Sequence, residues 1–209
     1  MTAGNPRNKV ARKKPKRKTY DRVLLVCEGK QTEPNYFLGL SRHFKLNDPN
    51  IKVVGVGGDP MKVVDEGKRL QREESNYGEK FDKVYCVFDR DEHDLFKKAS
   101  SLAKQNNMHL ARSWPCFEYW ILLHYCFSRR PYVRVQDRSP ADHCMRELRN
   151  YWKDYAKAEI EIFGKLNAMM AFAMKNAKKA EKDARATQNR NPSTEVHKLV
   201  TYLEKLTKN

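Results

Sequence analysis

Apolar positions fall into short β-branched and aromatic runs separated by helical stripes. Residues 22–27 (Arg22-Val23-Leu24-Leu25-Val26-Cys27), 51–56, 84–88 and 108–111 read as buried strands. Tyr36, Phe37, Leu40 and Phe44 recur at helical spacing after Thr32, which suits an N-cap, and Pro34, which suits a first turn. Val63, Val64 and Leu70 mark a second helix over 61–74. Leu95, Phe96, Ala99, Leu102 and Ala103 mark a third, capped by Asp94 and running to about Gln105. Strand and helix alternate from 22 to 111, which predicts right-handed crossovers and a mostly parallel, four-stranded sheet. Gly57-Gly58-Asp59-Pro60 reads as a tight turn between strand and helix, since neither a dinucleotide glycine fingerprint nor a phosphate-loop lysine accompanies it.

Beyond the alternating region the period is helical. Trp114 to Phe127 is apolar on all sides and predicts one buried helix that carries Glu118, a carboxylate expensive to bury without a partner. His124 lies off the helical face of Glu118. Residues 128–138 are basic and irregular, with Arg129, Arg130, Arg134 and Arg138 around Tyr132, a mixture suited to phosphate and base contact. From Ala141 a stripe of Met145, Leu148, Trp152, Tyr155, Ile160 and Phe163 predicts helix, followed by another from Leu166. Asn191-Pro192 breaks the pattern, and Ser193 or Thr194 caps a final helix through Val196, Leu199, Val200, Leu203 and Leu206. The predicted organisation is a disordered basic arm (1–20), an α/β domain (21–127), and a basic loop with a helical C-terminal region (128–209).

Two strand ends carry candidate chemistry. The run Val84 to Phe88 breaks into Asp89-Arg90-Asp91-Glu92-His93-Asp94, and the run Val23 to Cys27 ends at Glu28-Gly29-Lys30. Asp89 and Asp91 share a face if the backbone stays extended, and two carboxylates there repel each other. A hard divalent cation such as Mg²⁺ or Mn²⁺ relieves that repulsion and takes oxygen ligands. In open parallel sheets, ligands bind beyond the carboxyl ends of the strands. If the two strands are neighbours, Glu28, Asp89 and Asp91 converge.

The Glu-Gly turn after the first strand and the later Asp-x-Asp resemble the metal site of Toprim domains. More closely, Val26-Cys27-Glu28-Gly29-Lys30-Gln31-Thr32-Glu33-Pro34-Asn35-Tyr36-Phe37, Phe88-Asp89-Arg90-Asp91-Glu92-His93, Pro115-Cys116-Phe117-Glu118-Tyr119-Trp120-Ile121-Leu122-Leu123-His124-Tyr125 and Asn191-Pro192-Ser193-Thr194 resemble the RloB family. The resemblance implies a Toprim-like three-layer sandwich and a metal-dependent nuclease of prokaryotic phage defence, often encoded beside an ATPase. It implies catalytic and metal roles for Glu28, Asp89 and Asp91, with Glu28 as general acid or base. Lys30 and Arg90 would face the scissile phosphate, and Glu92, His93 and Glu118 are secondary candidates. The chain has no Walker motif, so such an ATPase would be a separate chain.

Charge changes the picture at the two ends. The net charge is +16, and residues 1–20 hold eight Lys/Arg and no acid. Lys13, Lys14, Lys16, Arg17 and Lys18 are expected to grip nucleic-acid phosphate together with Arg129, Arg130 and Arg134. Five cysteines without paired-ligand spacing point to reduced thiols and a cytoplasmic protein rather than a disulfide framework. For the same reason Cys116, His124, Cys126, His143 and Cys144 do not read as a zinc site. No apolar run reaches a membrane span and no secretory signal is visible, while a homo-oligomer is compatible with everything above. The rival expectation is a non-catalytic nucleic-acid-binding or sensor subunit of a defence complex. The sequence does not separate DNA from RNA.

Overall fold

The structure is a computed structural model that describes residues 21–46, 50–90 and 95–207. Five strands form one sheet in the order β2-β1-β3-β4-β5. They are β1 (Val23–Cys27), β2 (Ile51–Gly55), β3 (Lys83–Asp89), β4 (His109–Trp114) and β5 (Ser193–Thr194). The first four run parallel, and β5 is antiparallel to β4. The expected sheet of four strands therefore gains a fifth. Ser193 and Thr194, expected only to cap a helix, pair with Trp114 and Ser113 at the sheet edge.

Side-chain alternation along the strands sends neighbouring residues to opposite faces. Leu24, Val26, Val84, Cys86 and Phe88 pack under α2 (Pro60–Asn76) and α3 (Leu95–Gln105), against Val63, Val64, Phe96 and Ala99. Val23, Leu25, Cys27, Tyr85 and Val87 face the other way. There they meet α1 (Thr32–His43), α4 (Glu118–Leu122) and the C-terminal α8 (Val196–Leu206), through Tyr36, Phe37, Trp120, Val196 and Leu199. Helices thus cover both faces of the sheet, as buried parallel strands require. Asp59 starts α2 by accepting the amides of Met61 and Lys62 at 2.9 and 3.2 Å, with Pro60 in the first turn.

Three local expectations differ from the structure. Thr32 is the first residue of α1 rather than its cap, and its hydroxyl donates to the Lys157 carbonyl at 2.5 Å. The apolar stretch after Trp114 is helical only over Glu118–Leu122. Beyond it the amides of His124 and Tyr125 turn tightly onto the Ile121 and Leu122 carbonyls, and the Leu123 carbonyl is taken by the Asn176 side chain of α7 (Met170–Ala186) at 2.9 Å. The C-terminal stripe is also broken. Helix α5 (Pro140–Arg149) and α6 (Ile162–Leu166) flank irregular turns over 150–161. The Lys157 and Glu159 carbonyls there accept from side chains of α1 rather than from nearby amides, as Asn35 donates to Glu159 at 3.2 Å. Among the described residues, no helix is long and apolar enough to cross a membrane.

Candidate functional site

The adjacency of β1 and β3 builds the site. Cys27 is in register with Val87, so the residues that follow each strand emerge side by side. The Glu28 amide donates to the Val87 carbonyl at 2.9 Å, and Glu28 Oε2 accepts the Asp89 amide at 2.9 Å. Asp89 Oδ2 in turn accepts the Phe117 amide, just ahead of α4, at 3.0 Å. Glu33, in the first turn of α1, folds back so that Oε1 accepts the Gly29 amide at 3.2 Å. This close approach depends on glycine, since a Cβ on Gly29 would lie 2.0 Å from the Glu33 carboxylate. Glu118 Oε1 accepts the Tyr155 hydroxyl at 3.3 Å and lies 3.9 Å from Lys157 Nζ.

Glu28, Glu33, Asp89, Glu118 and Lys157 line one cavity of about 360 Å³ at the carboxyl ends of the strands, with Lys30, Gly57, Gly58 and Cys116 on its walls. The Lys30 stem lies across Gly57, whose φ of +71° and missing Cβ make room for it. The electrostatics are strained in one direction. Burial, and then the charges of Glu33, Glu118 and Glu28, hold the Asp89 carboxyl well above its ordinary value, against the Phe117 amide. Burial first and the Glu118 charge next push Glu33 up to about 7, with backbone amides opposing them. Lys157 is raised, chiefly by Glu118. The cavity therefore gathers four carboxyl groups against two lysines, in surroundings that penalise charge and hold protons on Asp89 and Glu33. Its four acids offer carboxylate oxygens, the type that hard divalent cations take. Among the described residues, no three His, Cys, Asp or Glu side chains are grouped tightly enough to hold an ion by themselves.

Of the residues expected at a site, Glu28, Asp89, Glu118 and Lys30 share this cavity. Asp91, Glu92 and His93, and the arm residues Lys13, Lys14, Lys16, Arg17 and Lys18, lie outside the described residues. Arg90 turns away from the cavity, with its guanidinium 5.6 Å from the centre of the Phe96 ring. Arg129 is a clamp, donating to the Pro192 carbonyl and, at 2.8 Å, to the Asn189 carbonyl. Arg130 and Arg134 are exposed on the loop after α4, where Arg130 lines a second cavity. Asn191 pairs with the Tyr132 backbone in both directions, at 2.6 and 3.2 Å. Thr194 joins Ser113 through their hydroxyls at 3.1 Å, two strands from Asp89. Glu33, Tyr155 and Lys157 were not anticipated. Glu33 had a local signal, an acid in the first turn after the Gly29 turn. Tyr155 and Lys157 had none, because they lie 37 and 39 residues beyond Glu118, in irregular backbone.

No curated protein and no solved structure matches the chain. A family model described as RloB-like protein matches residues 23–203, through the strands, the cavity and the C-terminal helices, and the chain belongs to that RloB-like family.

Proposed function

We propose that the chain is a divalent-metal-dependent nuclease with a Toprim-like catalytic centre, acting in defence against phage. The observation that carries this reading is the meeting of Glu28, Glu33, Asp89 and Glu118 on one cavity at the ends of neighbouring parallel strands. Such crowding is unfavourable in an isolated chain and becomes favourable when cations enter. The donor set fits Mg²⁺ or Mn²⁺, with Glu28 and Asp89 as ligands beside Asp91, which follows Asp89 in the sequence. When bound, the ion would supply charge neutralisation at a scissile phosphodiester and lower the pKa of an attacking water.

The chain's own residues have distinct parts. The Phe117 amide fixes the Asp89 carboxylate, and Glu28 is held by the Asp89 amide beside it. Glu28 would take or give the proton that moves during cleavage, the part that the Toprim resemblance implies. Lys30 and Lys157 stand at the cavity to meet phosphate oxygens. Glu118 and the Tyr155 hydroxyl hold the position of Lys157.

Incubating end-labelled RNA and plasmid DNA with the chain, with Mg²⁺ or Mn²⁺ and with chelator, tests the reading and identifies the substrate. Metal-dependent products that vanish in Glu28→Gln and Asp89→Asn are expected. Retention of nucleic acid without products under every condition, including with an ATPase partner, would favour a binding or sensor subunit.

A further inference from the structure

We propose that a second cavity, on the other side of α5 from the acidic one, binds one nucleotide unit, phosphate and base together. Ala141 in the first turn of α5 lines the acidic cavity, and His143 and Arg146 further along the same helix line the second. Its volume of about 560 Å³ lies within the ~300–1,000 Å³ typical of small-molecule sites.

Its chemistry is divided between an anion end and an aromatic, apolar wall. Arg130 and Arg146 both reach it, and neither pairs with a carboxylate among the described residues. The one acid of the lining, Glu147, is engaged by the Tyr132 hydroxyl at 2.7 Å. The Arg146 guanidinium approaches His143 Nδ1 at 3.5 Å. Since arginine only donates, Nδ1 is the acceptor in this contact. The wall is Tyr151, Val133 and Val135, which are 50%, 58% and 49% exposed. Tyr151 is already stacked on Tyr125, with ring centroids 5.8 Å apart and planes at 22°, which leaves its half-exposed ring stiffened for a base. Unpaired guanidiniums for a phosphate beside an aromatic face for a base match one nucleotide.

The ligand is either a free mononucleotide or one unit of a single strand, and neither requires cleavage. The full-length chain in EDTA at ~0.15 M salt, where screening limits loose attraction to the basic arm, is titrated by calorimetry. The probes are AMP, adenosine, inorganic phosphate and a 5′-phosphorylated single-stranded hexanucleotide. AMP is expected to saturate one site, with adenosine and phosphate at least about tenfold weaker because each lacks half of the contacts. Arg146→Ala and Tyr151→Ala should each weaken binding about tenfold, the scale of one charge-assisted or stacking contact. Both residues are surface-exposed, and circular dichroism verifies that the variants fold. If AMP does not saturate but the hexanucleotide weakens in both variants, the site holds a unit of a strand. Hexanucleotide and AMP binding that are both unchanged in Arg146→Ala and Tyr151→Ala, or no saturable binding of either, overturns the proposal. Because cleavage plays no part in the readout, a failed nuclease assay and a failed titration are separate results.

Discussion

Asp89 accepts the Phe117 amide through Oδ2 while the charges of Glu33, Glu118 and Glu28 press on it. Asparagine keeps the volume and the accepting oxygen but removes one repelling charge. In chelator, Asp89→Asn should therefore melt at or above the wild-type temperature. It should lose the rise in melting temperature that Mn²⁺ gives the wild type, and at least ~100-fold of any cleavage. A melting temperature lowered equally with and without Mn²⁺ would mean that Asp89 is structural. His124 is a different buried group. Its Nδ1 reaches the Trp120 carbonyl at 3.0 Å, Nε2 has no partner, and burial pushes its pKa down to about 4. The folded state then binds fewer protons than the unfolded state between about pH 6.5 and 4, so stability is lost on acidification through that window. The loss should reach about 2 kcal/mol at pH 5 relative to neutrality, as a smaller urea midpoint, and His124→Phe should shrink that difference.

At the scale of elements, the irregular turns over 150–161 bring Tyr155 and Lys157 to Glu118 and are tied to α1 by Thr32 and Asn35. A helical stripe had been expected there because Met145, Leu148, Trp152 and Tyr155 follow one another at turn spacing. Tertiary donors outcompete that period, since the Lys157 and Glu159 carbonyls are satisfied by side chains of α1. Thr32→Val keeps the shape but leaves the Lys157 carbonyl without its donor. It should cost roughly 1 kcal/mol in chemical unfolding. It should also slow cleavage more than it weakens nucleic-acid binding, because it loosens Lys157 and leaves the rest of the cavity in place. Cleavage unaffected by Thr32→Val would mean that these turns do not support the site.

For the whole molecule, residues after 128 share a core with the sheet. Val196, Leu199, Val200 and Leu203 of α8 are fully or almost fully buried in the cluster that contains Val23, Leu25 and Tyr85. Burial of each such side chain contributes ~1.5–3 kcal/mol. Four of them together match much of the ~5–15 kcal/mol net stability of an ordinary domain. A fragment of residues 21–127 alone should accordingly give no cooperative unfolding transition. A sharp melting transition and a dispersed amide spectrum from that fragment would show instead that the α/β part stands by itself.

The sequence by itself determined the alternation of four parallel strands with helices and the position of Glu28 and Asp89 at strand ends, while the pairing of β1 with β3 that makes those ends neighbours came from the sheet. Both follow from local rules: side-chain period separates strand from helix, and a charge after an apolar run marks where a buried strand leaves the core. Glu118 was also legible, as an acid in an apolar run that needed a partner. Only the tertiary structure decided what that partner was. Tyr155 and Lys157 reach Glu118 from the C-terminal half through backbone whose hydrogen bonds go to another element. The same holds for β5, two residues long and defined by its pairing with β4, and for Arg129, whose charge suggested phosphate while its donors close on carbonyls of its own chain. Local periodicity carries information about a residue's immediate neighbours. Which distant groups satisfy a buried carboxylate, carbonyl or guanidinium is settled only when the chain closes on itself.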